Sequence, residues 1–161
     1  MKSDPDPAAT HMVVLQALLV FALLSFLFHF AWEILQAPLF ARMPVMSHWQ
    51  ATLVCLKATF GDVGIAFASF GVAAVLDKEW LWFVKPSTRG LAAYLAAGLL
   101  ITFAFEWHAV YWAGRWAYSD LMPLVPLLQV GLAPVMQWVV LPLAVLFFLR
   151  RHRPVTSAPW L

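Results

Sequence analysis

The chain has 161 residues, 63% hydrophobic and only 11% charged, with a net charge of +2 and a mean hydropathy of +0.81. Ordinary soluble domains carry about 25% charged residues, so this composition excludes a soluble globular protein and calls for a bilayer as solvent. The small net charge, without a long basic run, excludes a nucleic-acid partner, and the single cysteine, Cys55, excludes an intrachain disulfide or a thiolate zinc cluster.

Residues 1–12, MKSDPDPAATHM, are polar and contain proline, and are expected to form a disordered cytoplasmic N-terminus. Four apolar segments follow, over residues 13–36, 49–76, 91–112 and 124–149. Each reaches the roughly 20 residues that a helix needs to cross a membrane. The chain therefore reads as all-α: a polytopic four-transmembrane-helix bundle over residues 13–149, closed by a basic cytoplasmic tail over residues 150–161. The first segment has an apolar core that resembles a signal peptide, but it runs on through His29 to Gln36 without a small-residue cleavage site, so it reads as an uncleaved span. The connectors APLFARMPVMSH, DKEWLWFVKPSTRG and AGRWAYSDLMP carry the proline, glycine and polar residues of turns. Pro126, Pro134 and Pro142 predict a kinked fourth helix.

Lys2, Lys78, Lys85, Arg89, Arg150, Arg151 and Arg153 fall on one side of this arrangement, and only Arg42 and Arg115 on the other. Basic residues concentrate in cytoplasmic loops, so the reading is a multi-pass protein of the cell inner membrane with both termini cytoplasmic. Trp49, Trp80, Trp82, Trp112 and Trp116 then fall near the two interfaces, where aromatic belts form.

Three acids lie inside the apolar segments: Glu33, Asp62 and Glu106. A charge at membrane depth costs roughly 2.5–3.5 kcal/mol on insertion scales and persists mainly where it faces a bundle interior. The orientation brings all three to one layer in the outer half, where they are expected to line one pocket. His29 and Glu33 are spaced i, i+4 and share a helix face with Ser25, Trp32 and Gln36 beside it. An imidazole and a carboxylate held in an apolar site can exchange a proton, or can simply tie helices together. Asp62 lies between Gly61 and Gly64, small residues that let another helix approach, and Thr59 is one turn away as a hydrogen-bond partner. Lys57 is about 140° round the same helix from Asp62, and either snorkels outward or meets Glu33 or Glu106. Glu106 and His108, which flank Trp107, point about 200° apart. Thr102, one turn below Glu106, favours Glu106 as the inward group. Arg115, Trp116 and Tyr118 follow as a lid or as interfacial anchors, and Gln137 and Trp138 offer an interhelical amide and a ring. Met43, Met46 and His48 form a soft-ligand cluster able to bind copper(I), or else cover apolar surface. With three carboxylates against few cations, one of the acids is expected to be neutral at pH 7.

Two family resemblances rest on these residues. His29-x-x-x-Glu33, a later buried acid and QWVVLPLAVL with Trp138 and Pro142 resemble the emopamil-binding and sterol-isomerase (EXPERA-like) four-helix membrane family. That resemblance implies acid and base roles for Glu33, His29 and one of Asp62 or Glu106, with Trp138 beside a cationic intermediate. EWHAVYWAGRWAYSD resembles the acid and Gly-x-Trp-aromatic turn of the small-subunit carotenoid (lycopene) cyclases, with APVMQW in the place of their Pro-x-Glu-Glu motif. Both families handle apolar ligands, and aromatic faces attract cations.

The expected function is to bind or convert an apolar, isoprenoid- or sterol-like ligand by acid–base chemistry, as an isomerase, cyclase or hydratase. The expected catalytic set is Glu33, His29, Asp62 and Glu106. The expected ligand-binding set is Trp32, Lys57, Trp107, His108, Arg115, Trp116, Tyr118, Gln137 and Trp138. The rival readings are a small proton or copper carrier and an accessory subunit of a larger membrane complex. No cofactor is called for, and the partners are membrane lipid or an apolar small molecule, with a homo-oligomer or a larger complex as the assembly.

Overall fold

The computed structural model describes residues 7–151, with side chains from Met12 onward. It contains four long helices: α1 (Pro7–Gln36), α2 (His48–Asp77), α3 (Thr88–Trp107) and α4 (Leu132–Arg151). A π-helical turn over His108–Trp112 extends α3. The four candidate spans are Met12–Leu39, His48–Asp77, Thr88–Trp112 and Leu132–Arg151, all long and apolar enough to cross a membrane. The protein is an all-α, multi-pass membrane protein built as a four-helix bundle, with no strand among the described residues. α1 and α3 each pack against both α2 and α4, which closes the ring.

Helix ends follow local chemistry. Ser47 caps α2: its hydroxyl accepts from the Gln50 amide at 3.3 Å, and the Gln50 side chain accepts from the Ser47 amide at 3.1 Å. Ser87 caps α3 by accepting from the Gly90 amide at 2.8 Å, and its hydroxyl donates to Asp77 at the end of α2 at 2.8 Å. Lys78, at φ 55°, ends α2 in the left-handed conformation.

The boundaries differ from the sequence reading in two places. α1 begins at Pro7, inside the stretch expected to be disordered, while residues 1–6 and the tail beyond Arg151 lie outside the described residues. The fourth helix begins at Leu132 rather than at residue 124. Pro123 and Pro126 have no amide hydrogen to continue a helix, and Leu124 instead pairs with Gly131 across a tight turn. The Val125 amide donates to the Val130 carbonyl at 2.8 Å, and Leu132 donates to Pro123 at 2.7 Å. Pro134 falls in the first turn of α4, which leaves Pro142 as the proline inside the helix.

The connector between α1 and α2 and the segment after α3 lie at one end of the bundle and are joined there. Phe40 pairs with Tyr118; Ala41 donates to the Ala117 carbonyl at 2.9 Å, and Ser119 to the Leu39 carbonyl at 2.9 Å. This pairing forms a cap. At the opposite end a turn over Trp82–Val84 folds inward. Trp82 is therefore buried in the core, not placed in an interfacial belt, with its ring 5.5 Å from both Phe70 and Tyr94. Trp49, Trp80 and Trp112 are exposed.

The buried ladder of α1 is Ala17, Phe21, Ser25 and His29, and the exposed one is Leu15, Leu19, Leu23 and Leu27. Both are apolar at their starts, as expected where lipid replaces water on the outer face. The expectation of close approach at Gly61 and Gly64 does not hold: a Cβ at either would meet nothing within 4 Å. Intimate contacts are instead at Gly98, where a Cβ would run into the Trp138 ring, and at Gly90, where it would run into the Asp77 carboxylate.

Candidate functional site

The cap-end half of the bundle holds a hydrogen-bonded network that joins three helices. Gln137 of α4 is its hub, buried at 2% exposure. Its Nε2 donates to Asp62 Oδ2 of α2 at 2.9 Å and lies 2.8 Å from His29 Nδ1 of α1. Turning the amide over would set its oxygen against the Asp62 carboxylate. The nitrogen therefore faces both groups; against that N–H donor, His29 Nδ1 is the accepting nitrogen, which is the Nε2–H tautomer. Gln137 Oε1 accepts from Gln36 Nε2 at 3.2 Å. The same Gln36 nitrogen donates to Glu33 Oε1 at 2.6 Å, and Gln36 Oε1 accepts from Trp32 Nε1 at 3.1 Å. Both amides thus use all their hydrogens, and the chain of bonds runs from Trp32 to Asp62.

His29 is fully buried; its Nδ1 is 3.5 Å from Asp62 Oδ2 and its ring centre 5.1 Å from that of Trp138. Glu33 and Asp62 are half-buried rather than lipid-facing. Thr59 is not the partner of Asp62; its hydroxyl turns back to the Cys55 carbonyl at 2.8 Å. The buried Cys55 thiol lies 3.5 Å from the Glu33 carbonyl.

Glu106 forms the second part of the site. Tyr118, carried by the cap, donates its hydroxyl to Glu106 Oε2 at 2.6 Å, and Trp116 Nε1 lies 3.4 Å from the same oxygen. Burial, followed by this bond to a carboxylate, pushes the Tyr118 phenol above its ordinary value. Asp62 and Glu106 both lie within electrostatic reach of Glu33. Two buried hydroxyls, Ser25 one turn below His29 and Thr102 one turn below Glu106, have no hydrogen-bond partner among the described residues.

The structure therefore brings together His29, Glu33, Asp62, Gln137, Trp138 and Trp32, and beside them Glu106, Trp116 and Tyr118. It does not bring in Lys57, Trp107, His108 or Arg115, all of which are exposed. His108 stacks on Trp112 at 6.5 Å. The Lys57 and Arg115 side chains make no ion pair among the described residues. Gln36 is the site residue that the sequence reading left out of its set, although its place one turn beyond Trp32 on the buried face was visible. Met43 opens a 3₁₀ turn over Met43–Val45 and Met46 follows it in extended conformation, His48 is exposed, and no group of three His, Cys, Asp or Glu among the described residues is placed to hold a metal ion.

Fold and geometry together define a four-helix membrane protein with an acid–amide–imidazole network in one half of its bundle. No family model, curated protein or solved structure matches the chain.

Proposed function

We propose that this network is an acid–base site for an apolar, isoprenoid- or sterol-like ligand drawn from the membrane. The observation that carries the reading is the grouping of Glu33, Asp62 and Glu106 within electrostatic reach of one another, beside His29 and aromatic rings, without an ion pair to any described lysine or arginine. A purely structural ion-pair network would match acids with fixed cations. A site that meets a transient positive charge leaves the carboxylates unmatched and lines the place with aromatic faces, here Trp138, Trp32 and Trp116. In an isomerisation, a carboxylic acid of the set adds a proton to a carbon–carbon double bond. The cation that results faces the rings, and the Asp62 carboxylate takes a proton from the neighbouring carbon, with His29 held beside it at 3.5 Å. The ligand then keeps its atoms, and acid and base recover by exchange with water. The unpartnered Ser25 and Thr102 hydroxyls lie one turn from the two ends of this set. The same arrangement keeps alive the resemblance to the emopamil-binding and sterol-isomerase group, and more distantly to the carotenoid cyclases.

We further place the protein in the inner membrane, with its cap outside and both termini in the cytoplasm. Lys78, Lys85, Arg89, Arg150 and Arg151 lie at the end opposite the cap, whereas the cap connectors carry Arg42 and Arg115.

The test is lipid extraction from the purified protein followed by mass spectrometry, comparing wild type with Glu33→Gln and Asp62→Asn. An isoprenoid or sterol-like lipid enriched in wild type, and lost or replaced by its unconverted isomer in the variants, is the expected result. No enrichment over bulk membrane lipid, together with proton uptake by protein-containing vesicles, would replace this reading by the proton-carrier one.

A further inference from the structure

The segment between the π turn and α4 carries apolar side chains in a place where a water-facing loop would carry polar ones. Residues 121–131, LMPLVPLLQVG, contain no charged residue. Leu127 is 98% exposed, Leu121 71% and Leu128 52%. At the tip, residues 126–129 form a turn in which Leu127 has φ 69° and Gln129 φ 54°. A bulky residue in the left-handed region is an outlier where glycine is the usual choice. The turn thus holds a large apolar side chain outward against the preference of its own backbone. Such conformations persist where the surroundings over-determine them, and they cluster at functional places.

The position of the tip follows from one bond. The Tyr111 hydroxyl donates to the Gln129 carbonyl at 2.6 Å, and Tyr111 belongs to the last turn of the span Thr88–Trp112. The tip is therefore moored at the depth where the third span ends, next to the exposed rings of Tyr111 and Trp112. Its base is held by Met122 and Val130, which are buried, and by the bond from the Val125 amide to the Val130 carbonyl at 2.8 Å. Aromatic side chains at a span end mark the membrane interface, and the apolar face of the tip continues that of the span.

We propose that the turn over residues 126–129 is an interfacial wedge that seats Leu127 and Leu128 in the headgroup–acyl boundary of the leaflet on the cap side. Its partner is the lipid surface. The absence of charge, the mooring to Tyr111 and the continuity with the lipid-facing span all fit that occupant. This inference is independent of the ligand site.

The experiment uses the full chain reconstituted in phosphatidylcholine vesicles. In a Cys55→Ala background, Leu127→Cys, Leu128→Cys and Asp120→Cys are each labelled with an environment-sensitive fluorophore. Labels at 127 and 128 are expected to emit blue-shifted light and to be quenched by doxyl-labelled lipid several-fold more than by aqueous iodide, with the reverse at the exposed Asp120 position. Iodide quenching at 127 equal to that at 120 would overturn the wedge, since the tip would then stand in water. Protection from both quenchers would overturn it too, in favour of a second copy of the chain covering the tip. Photo-labelling of the unmutated protein with a diazirine lipid gives the same answer without a variant: labelled peptides from residues 121–131 are expected, and their absence beside labelled spans contradicts the proposal.

Discussion

The two halves of the bundle solve the same packing problem in different ways. Away from the cap, Phe21, Phe70, Trp82 and Tyr94 interlock as rings; Phe21 and Phe70 lie 4.8 Å apart and Trp82 and Tyr94 5.5 Å apart. Toward the cap, the helices are joined by side-chain hydrogen bonds among Gln36, Gln137, Asp62 and His29. Lipid offers no hydrophobic drive for helix association, so both dispersion packing and polar bonds are available as glue. The ring-packed half shows that this chain can hold four helices together without a buried acid. The acids of the other half are thus not demanded by the fold, and a membrane protein that keeps such groups where they are expensive generally uses them.

Cutting into the ring-packed half gives the largest expected loss. Trp82→Ala removes a side chain 2% exposed that touches Phe70 and Tyr94. Truncations of this kind cost about 3–5 kcal/mol. Thermal unfolding in detergent is expected to drop steeply, while any lipid that co-purifies with the remaining folded protein is unchanged in identity. A Trp82→Ala protein as stable as wild type would mean that the core is held elsewhere, and the contrast between the halves would fail. Gly98→Ala belongs to the same test: its new Cβ meets the Trp138 ring, and overpacking costs about 1–3 kcal/mol.

The polar half is expected to respond less in stability and more in chemistry. Gln137→Ala removes at once the hydrogen bonds that Asp62, His29 and Gln36 make to its amide, at about 1–3 kcal/mol for buried polar groups that lose a partner. Gln137→Leu removes the same bonds and fills the space. Nitrogen NMR of labelled histidine separates the effects: the wild-type His29 is expected as the Nε2–H tautomer, and both variants are expected to lose that preference. A retained tautomer would mean that Gln137 does not set the ring.

Much of this division was visible in the sequence, and the physical reason is dimensional. A membrane span is a length of apolar chain, so it can be counted, and an acid within it is conspicuous in one dimension. What pairs with that acid is set in three. His29 and Glu33 share a helix face, yet Glu33 turns to Gln36 on the next turn of the same helix, and His29 turns to Gln137 and Asp62, because partners on other helices compete for the imidazole. Lys57 was a candidate partner by composition, but a long flexible stem lets its charge leave the interior, and it is exposed. Trp82 was placed at an interface by its position in a connector; the inward fold of Trp82–Val84 was not written in any local pattern. The start of α4 carried a signal, the Pro123 and Pro126 pair, which the apolar run around them concealed.

Tyr118 links the cap to the polar half, and its ionisation supplies a pH test. Its phenol is held above the ordinary value of about 10, first by burial and then by its bond to Glu106. The neutral form is therefore favoured in the folded protein. Its contribution is fully present below pH ~10 and falls as pH rises beyond that, because the unfolded chain then binds fewer protons than the folded one. Tyr118→Phe is expected to lower stability by about 1.5–3 kcal/mol at neutral pH, as for a hydrogen bond to a charged group. It is also expected to flatten the decline that wild type shows above pH ~10. An identical alkaline decline in both proteins would mean that the cap is not fastened through this hydroxyl.

The smallest expected effect is at the glycines beside Asp62. By sequence alone Gly61 and Gly64 look like contact points, and their replacement would be expected to push two helices apart. The structure leaves open space around both, with nothing within 4 Å of an added Cβ, and neither has the left-handed backbone that requires glycine. Gly61→Ala and Gly64→Ala are then expected to stabilise α2 slightly, by roughly 0.5–1 kcal/mol each, because alanine loses less freedom in a helix. Thermal melts of both variants in detergent measure this directly. A loss of stability at Gly64 in bilayers but not in detergent would place a second molecule against that face of α2, next to Asp62. The boundary between the two halves would then have to be redrawn around an assembly rather than a single bundle.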